Sequence, residues 1–254
     1  MRHRGLEIVG HSNFRDENAV KATLAELHVT DIVDYLDEGT ERLYAISPDQ
    51  HHNAAYYRNT AIQHFILDAF VEIALLDAAS EDDTVEAFFA RTEDLRELFK
   101  FEFYLPRTAD YRAEIGKRAS DRFDDWKDAL KNRKDDLLDE VLPLVAHGVL
   151  RSFVDAYRVA ARVLDEAGDD AIDDPRSLLP QCLKVGKQQL LQGRVFSAES
   201  VSKMLYETGL KLADYRGLFA AGQAEARSEL LQEFRRISGR LDEILAITLA
   251  KADD

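Results

Sequence analysis

The stretch SPDQHHNAAYYRNTAIQHFILDAFVEIALLDAAS, residues 47–80, decides the fold. Its apolar side chains recur at helical spacing, at Ile62, Phe65, Ile66, Ala69, Ile73 and Leu76, which predicts one long helix. Pro48 stands near the start, where a helix tolerates proline. The whole chain has only five prolines and twelve glycines in 254 residues, so few breaks are expected. The sequence therefore predicts a mainly α fold, a multi-helix bundle.

A different pattern precedes this helix. DENAVKATLAELH, residues 16–28, predicts a short helix with Asp16 as its N-cap. IVDYLDEGTERLYAI, residues 32–46, has two runs of β-forming residues around an acidic turn with Gly39, which predicts a β-hairpin. This order resembles the end of a winged-helix motif. We expect three regions: a helix-hairpin segment over 1–50, a long-helix bundle over 51–166, and C-terminal helices over 175–254 packed on the same core.

The rest of the chain is predicted to be helical between a few interruptions. We expect helices over residues 82–106, stopped by Pro106, over 109–132, and over 135–166 with an irregularity at Pro143. DEAGDDAIDDP, residues 165–175, is predicted to be a solvated linker, because it lacks the glycine and distal glutamate of an EF-hand. The last helix, over 221–250, carries a heptad seam of Leu230, Phe234, Ile237, Leu241 and Ile244.

Composition excludes several classes of function. The formal net charge of -15 argues against nucleic acid as a partner, since phosphate neutralisation needs lysine and arginine. The single cysteine, Cys182, has no partner for a disulfide or a zinc site, so we expect no metal, no cofactor and a cytoplasmic location. The most apolar run is interrupted by Asp68 and Glu72 and is shorter than the roughly 20 residues of a membrane span. No transmembrane helix is predicted.

Two short motifs near the start are typical of an acyl-transfer site. His11 and Asp16 have the spacing H-x-x-x-x-D, in which the histidine would act as a general base and the aspartate would orient it. Glu38, Gly39 and Thr40 follow about twenty residues later. One helix fills the gap, which is too little chain for a thioester-binding domain. We favour local roles for Asp16 and Gly39, keep His11 and Asp16 as disfavoured candidates, and assign no catalytic residue.

A polar stripe also runs beside the apolar one on the quoted helix. Tyr57, Ala61, His64 and Asp68 share a face at about 100° per residue, and His64 and Asp68 could hydrogen-bond. The stripe is either the wall of a pocket with an oriented histidine or a set of buried polar groups that satisfy one another. The second interpretation is favoured, because buried polar groups are usually hydrogen-bonded for structural reasons.

Three blocks carry a family resemblance: AAYYRNTAIQHF at 54–65, LFKFEFYLP at 98–106 and FSAESVSKMLYETGLKLADYRGL at 196–218. Together they resemble the C-terminal region of the glycerol-3-phosphate acyltransferase and dihydroxyacetone-phosphate acyltransferase family, the bacterial membrane-associated type, from about Val20 to Leu218. Tyr57, Arg58, Asn59 and His64 then become family-motif residues of unknown role. The family's catalytic motifs belong to a preceding acyltransferase domain, and Asp37 stands where the proline before E-G-T would be.

The resemblance implies a fragment, a split-gene product or a stand-alone copy of the helical part. Its expected partner is an acyltransferase domain, with peripheral contact at the inner face of the cell membrane as a second implied contact. It also implies an exposed apolar patch, expected around Tyr56, Phe65 and Phe101. Two alternatives stay open: a winged-helix regulator, which the acidic helix and hairpin disfavour, and a helical scaffold that binds a partner through the C-terminal seam.

Overall fold

The computed structural model describes residues 17–37, 42–78, 84–132 and 144–252. The chain divides into two compact units, residues 1–62 and residues 63–254. The described part is mainly α-helical with a small antiparallel hairpin, so the predicted fold class is confirmed. No helix in these ranges is long and apolar enough to span a bilayer.

The first unit contains a helix, a hairpin and a second helix. Helix α1 (Glu17–Val29) is followed by β1 (Val33–Leu36) and β2 (Leu43–Ile46), which pair antiparallel with Val33 opposite Ile46. A 3-10 turn (Pro48–Gln50) then leads into α2 (His51–Ile62). The predicted order of helix and hairpin is therefore confirmed. The hairpin is short and mostly exposed, with Val33 the one buried residue of its two strands.

The second unit is built from eight helices in the described ranges. They are α3 (Ile66–Ala78), α4 (Thr84–Phe99), α5 (Thr108–Arg122), α6 (Trp126–Asn132), α7 (Arg151–Asp165), α8 (Leu178–Leu191), α9 (Lys203–Tyr215) and α10 (Ala224–Ala252). Helix α7 packs against α8, α9 and α10, while α3 packs against α4, α5 and α10. Both are central: eleven of the fifteen residues of α7 and twelve of the thirteen of α3 are buried. Helix α3 is apolar on nearly all sides and needs such a position, whereas α7 is amphipathic and carries Arg151, Arg158 and Arg162 on its less buried face.

The long helix predicted over 47–80 is wrong, because the chain breaks at residues 63–65. At the break, Gln63 bonds the backbone of Tyr104: its Nε2 donates to the carbonyl at 2.6 Å, and its Oε1 accepts from the amide at 3.0 Å. These long-range bonds compete with helix continuation. The helix expected to stop at Pro106 likewise ends earlier, at Phe99, where Phe99 and Phe103 turn into the core.

The single helix predicted over 109–132 is also two helices. Phe123 is extended, with φ -153°, and ends α5. The chain then turns so that Trp126 packs beside the rings of Phe88 and Phe89 at 4.7 and 5.8 Å between centroids, and burial of the indole decides the break. Residues 133–143, which include the first part of the helix expected over 135–166, lie outside the described residues. In the remainder, a 3-10 turn (His147–Leu150) precedes α7.

The acidic segment before α8 is docked and is not a free linker. The guanidinium of Arg227, on α10 and fully buried, donates to the carbonyls of Gly168 and Asp170 and to those of Leu218 and Ala220. One side chain thus ties together the turns that follow α7 and α9. The C-terminal seam from Leu230 to Ile244 is buried, because α10 packs on α7 and α3. The seam is therefore not available to a partner, as it would have to be in a helical scaffold that binds through it.

Candidate functional site

The two short motifs near the start of the chain fall outside the part of the chain that the structure describes. His11, Asp16 and Glu38 to Thr40 lie outside the described residues. Arg42, which follows the E-G-T motif, forms a bidentate pair with Asp37, with Nη2 2.7 Å from Oδ2 and Nε 2.9 Å from Oδ1. Hydrogen bonding to Arg42 lowers the pKa of Asp37 from its usual value. The hairpin arginine is therefore paired on its own hairpin.

The family-motif residues are spread over a helix end and a turn. The side chains of Tyr57 and Arg58 lie outside the described part of the structure, and Asn59 and His64 are exposed. The break at 63–65 puts His64 in a turn, so the predicted continuous stripe from Tyr57 to Asp68 does not form. Asp68 is instead buried, and Arg118 donates to its Oδ2 at 3.1 Å.

The main buried acid–base network lies on α3, α5 and the 3-10 turn before α7. Glu72, which is fully buried, accepts from the backbone amides of Ala146 and His147 at 3.0 and 2.6 Å. Arg122 Nη2 lies 2.7 Å from Glu72 Oε1, and His147 Nδ1 lies 3.1 Å from Glu72 Oε2. Both carboxylate oxygens are therefore used, by a cation, a ring nitrogen and two backbone donors.

The sequence held a signal for this network. Asp68 and Glu72 are four residues apart in an apolar helix, and Arg118 and Arg122 are four apart in a charged one. Residues at i and i+4 share a helix face, so each helix presents two like charges to the other. In the sequence the two acids interrupt an apolar run, and the arginines that pair with them lie fifty residues further along the chain. The outcome is a set of ion pairs that joins α3 to α5.

A second buried carboxylate fixes the loop between α8 and α9. Asp155, fully buried on α7, accepts from the backbone amide of Phe196 at 2.9 Å. Arg158 Nη2 lies 3.0 Å from its Oδ1, and Arg151 Nε lies 3.6 Å from its Oδ2. Arg151 also pairs with the exposed Asp242. This arrangement holds α7, the loop and α10 together.

Other reactive groups are held in inert forms. Burial raises the pKa of the Cys182 thiol to about 12, so the nucleophilic thiolate is scarce at neutral pH. Glu102 accepts a hydrogen bond from the Tyr157 hydroxyl at 2.8 Å, and desolvation raises the pKa of Glu102. Within the described residues, no group of three or more metal-binding side chains comes together.

Two cavities of the second unit differ in shape. A groove of about 950 Å³ runs along α10 between Arg216 and Arg236 and is open to solvent. A smaller cavity of about 390 Å³ lies between α7 and α8. Its lining is mostly polar: Arg162, Glu166, Gln181, Lys184, Val185, Gln188, Gln189, Gln192 and Arg194.

The fold and these sites define a mainly helical protein whose described buried carboxylates Asp68, Glu72 and Asp155 each lie against an arginine. The chain belongs to the family described as the glycerol-3-phosphate acyltransferase C-terminal region, whose model matches residues 1–222. The resemblance inferred from the three sequence blocks is therefore confirmed.

Curated relatives agree with this family. The chain is 35% identical over 238 residues to the protein named "Putative acyltransferase plsB1" of Mycobacterium bovis, and equally to that of two Mycobacterium tuberculosis strains. The match covers 91% of this chain but 38% of each relative. No solved structure matches the chain.

Proposed function

We propose that this chain acts as the C-terminal helical part of a glycerol-3-phosphate acyltransferase of phospholipid biosynthesis and that it is not catalytic alone. In the reaction, the hydroxyl of glycerol 3-phosphate attacks an acyl thioester of coenzyme A or acyl carrier protein, an ester forms, and the thiol leaves. The observation that carries the proposal is the family match over residues 1–222, combined with coverage of only 38% of the acyltransferase relatives.

The state of the buried acids supports an accessory role. A general base must come within hydrogen-bond reach of the acceptor hydroxyl, about 3 Å. His147 is 5% exposed, its Nδ1 faces Glu72, and Glu72 is already bonded to Arg122. These contacts stabilise the packing of α3 and α5 against the turn before α7, and the burial of Glu72 and His147 leaves little room for a substrate beside them.

The partner in this proposal is the acyltransferase part of the same kind of protein, supplied in the same chain or by another. The hairpin offers a surface for it. Leu36 and Leu43, which pair across the strands and therefore share one face, are 52% and 64% exposed. A two-stranded hairpin is marginally stable by itself, so apolar cover from a partner would stabilise it.

Co-expression with the remaining part of the Mycobacterium tuberculosis relative tests the role. The relative without the region that aligns with this chain is assayed for thiol release from acyl-CoA with glycerol 3-phosphate, with and without the chain. We expect co-purification of the two parts and an increase in turnover of about tenfold or more, because correct positioning of a substrate site is worth at least that.

A matched pair of variants makes this test specific. Leu43→Asp places a charge on the hairpin surface and should abolish both co-purification and the gain in turnover. Leu191→Asp introduces the same charge at a site of the second unit that is 88% exposed, and should leave both unchanged. Equal turnover with and without the chain, from a soluble and folded partner, would refute the accessory role.

A further inference from the structure

The two outer edges of the hairpin differ in how they are covered. Helix α1 packs against β1, whereas β2 has no comparable contact with any described element other than β1. An exposed strand edge presents backbone N–H and C=O groups that can pair with another strand, and proteins usually protect such edges. The hydrogen bonds around β1 and β2 show which of the two edges is protected.

The outer edge of β1 is closed by two side chains. The ring Nδ1 of His28, in the last turn of α1, lies 2.9 Å from the carbonyl oxygen of Val33 and donates to it, since a carbonyl can only accept. The carboxylate of Asp34 accepts from the backbone amide of Tyr35 at 2.8 Å. The backbone groups of Val33 and Tyr35 are therefore directed away from β2, and both residues already have a bond within the chain.

The register of the hairpin then determines which groups of β2 face outward. Residues of an antiparallel strand direct their N–H and C=O groups alternately towards the partner strand and away from it. Tyr44 pairs with Tyr35, so the backbone groups of Tyr44 also point away from the hairpin. In the described part of the chain, no side chain bonds the backbone amide or carbonyl of Tyr44. Tyr44 thus offers one donor and one acceptor on the outer edge of β2.

The side chains of the hairpin also favour a third strand. The face that carries Leu36 and Leu43 is exposed, while Val33, on the opposite face, is buried. A hairpin of two short strands is marginally stable by itself, and a third strand beside β2 would bury part of the exposed apolar face. Because side chains alternate along a strand, the added segment needs an apolar residue at every second position, on the side of Leu43.

We propose that β2 accepts a third strand at its outer edge and that this strand belongs to the acyltransferase part, an inference that rests on the proposed function. The matching family is a C-terminal region and the match covers 38% of each relative, so those proteins have a larger part outside it. The hairpin lies within the first 50 residues of the match, close in sequence to that preceding part. A helix does not fit the edge, since its own backbone groups are bonded internally, whereas an extended segment pairs with it.

Hydrogen exchange tests the strand addition without any substitution. Amide exchange is measured by NMR on the full chain, alone and with the remaining part of the Mycobacterium tuberculosis relative. We expect exchange of the Tyr44 amide to slow by about tenfold or more on binding, because the amide gains a backbone acceptor. Exchange of the Tyr35 amide, which gains no new bond at the closed edge, should change by less than about threefold.

A matched pair of proline variants locates the edge. Tyr44→Pro removes an amide that faces away from β1, so the hairpin keeps its own ladder, and the Kd for the partner should rise about tenfold or more. Tyr35→Pro makes the same change directly across the hairpin, at the closed edge, and should alter the Kd by less than about threefold. Nuclear Overhauser contacts between Val33 and Ile46 verify that the hairpin forms in both variants.

The outcomes separate this inference from the proposed function. A stable complex in which the Tyr44 amide still exchanges freely, or in which the two proline variants bind equally well, would overturn the strand addition and leave the accessory role intact. Self-association of the chain alone with the Tyr44 amide protected would assign the edge to a second copy and also overturn the proposal. Protection of Tyr44 in the complex without any gain in turnover would support the strand addition and contradict the accessory role. Failure of the two parts to associate would overturn both.

Discussion

The two compact units of the chain differ in what they bury. Among the side chains that the structure describes in the first unit, only Val33 and Ile62 are buried, while Val29, Leu43 and Tyr56 are 82%, 64% and 70% exposed. The second unit buries an extended core and several charged side chains with it, including Glu72, Asp155 and Arg227. The second unit therefore has the buried core that a domain needs in order to fold independently. The first unit instead presents apolar surface that a partner can cover.

The largest effect is expected from removing the buried guanidinium of the second unit. Arg227→Met leaves four backbone carbonyls without their donor, those of Gly168, Asp170, Leu218 and Ala220. The free energy of unfolding should fall by about 4 kcal/mol, measured by urea denaturation with circular dichroism. Arg235→Met, at an exposed position of the same helix, is the control. A loss below about 1 kcal/mol would show that Arg227 does not hold the turns together.

A somewhat smaller loss is expected at the centre of the acid–base network. Glu72→Ala leaves two backbone amides without their acceptor and Arg122, which is 16% exposed, with only the more distant Asp68 at 4.0 Å, and should cost about 3 kcal/mol. Glu86→Ala breaks a solvent-exposed pair with Arg112 and should leave the unfolding midpoint nearly unchanged. Equal effects of the two substitutions would contradict the distinction between buried and exposed pairs.

The free energy of unfolding should depend on pH through the ionisation of Glu102. Burial raises its pKa in the folded state above the unfolded value, so the folded state favours the protonated carboxyl. The ionised form therefore lowers stability as pH rises through the folded pKa. Glu102→Gln, which stays neutral, should be more stable than the wild type near about pH 8, and the difference should shrink towards about pH 4. A difference that grows as the pH falls would reverse the assigned direction.

The smallest effect is expected in the first unit. Leu36→Ser changes a side chain that is 52% exposed, so the free energy of unfolding should change by no more than about 0.5 kcal/mol in the isolated chain. Leu75→Ser, in the core of α3 at 2% exposure, is the matched substitution and should be strongly destabilising. A large loss for Leu36→Ser would mean that the hairpin is already covered within this chain.

The sequence predicted those features that depend on local pattern. The hairpin over 32–46 and the buried seam from Leu230 to Ile244 follow directly from residue periodicity, and the structure confirms both. The breaks at 63–65 and 123–125 could not be predicted this way. They depend on Gln63 bonding Tyr104 and on Trp126 meeting Phe88, contacts between residues far apart in the chain.

The candidate site shows the same limit. The family blocks identified the class of protein, but the residues they highlighted, Asn59 and His64, are exposed. The buried network formed instead around Glu72 and His147, which are 75 residues apart and share no short motif. Pairing of i and i+4 acids on one helix with i and i+4 arginines on another is the sequence signal that would have pointed to it.

The most direct test of the accessory role is an acyl-transfer assay on the purified chain alone. The chain is incubated with acyl-CoA or acyl carrier protein and glycerol 3-phosphate, and release of the free thiol is measured. No turnover above the uncatalysed background is predicted, because the buried carboxylates of the described residues, including Glu72 and Asp155, are engaged by arginines and backbone amides. Robust turnover that disappears in His11→Ala would contradict this account and make His11 the catalytic base.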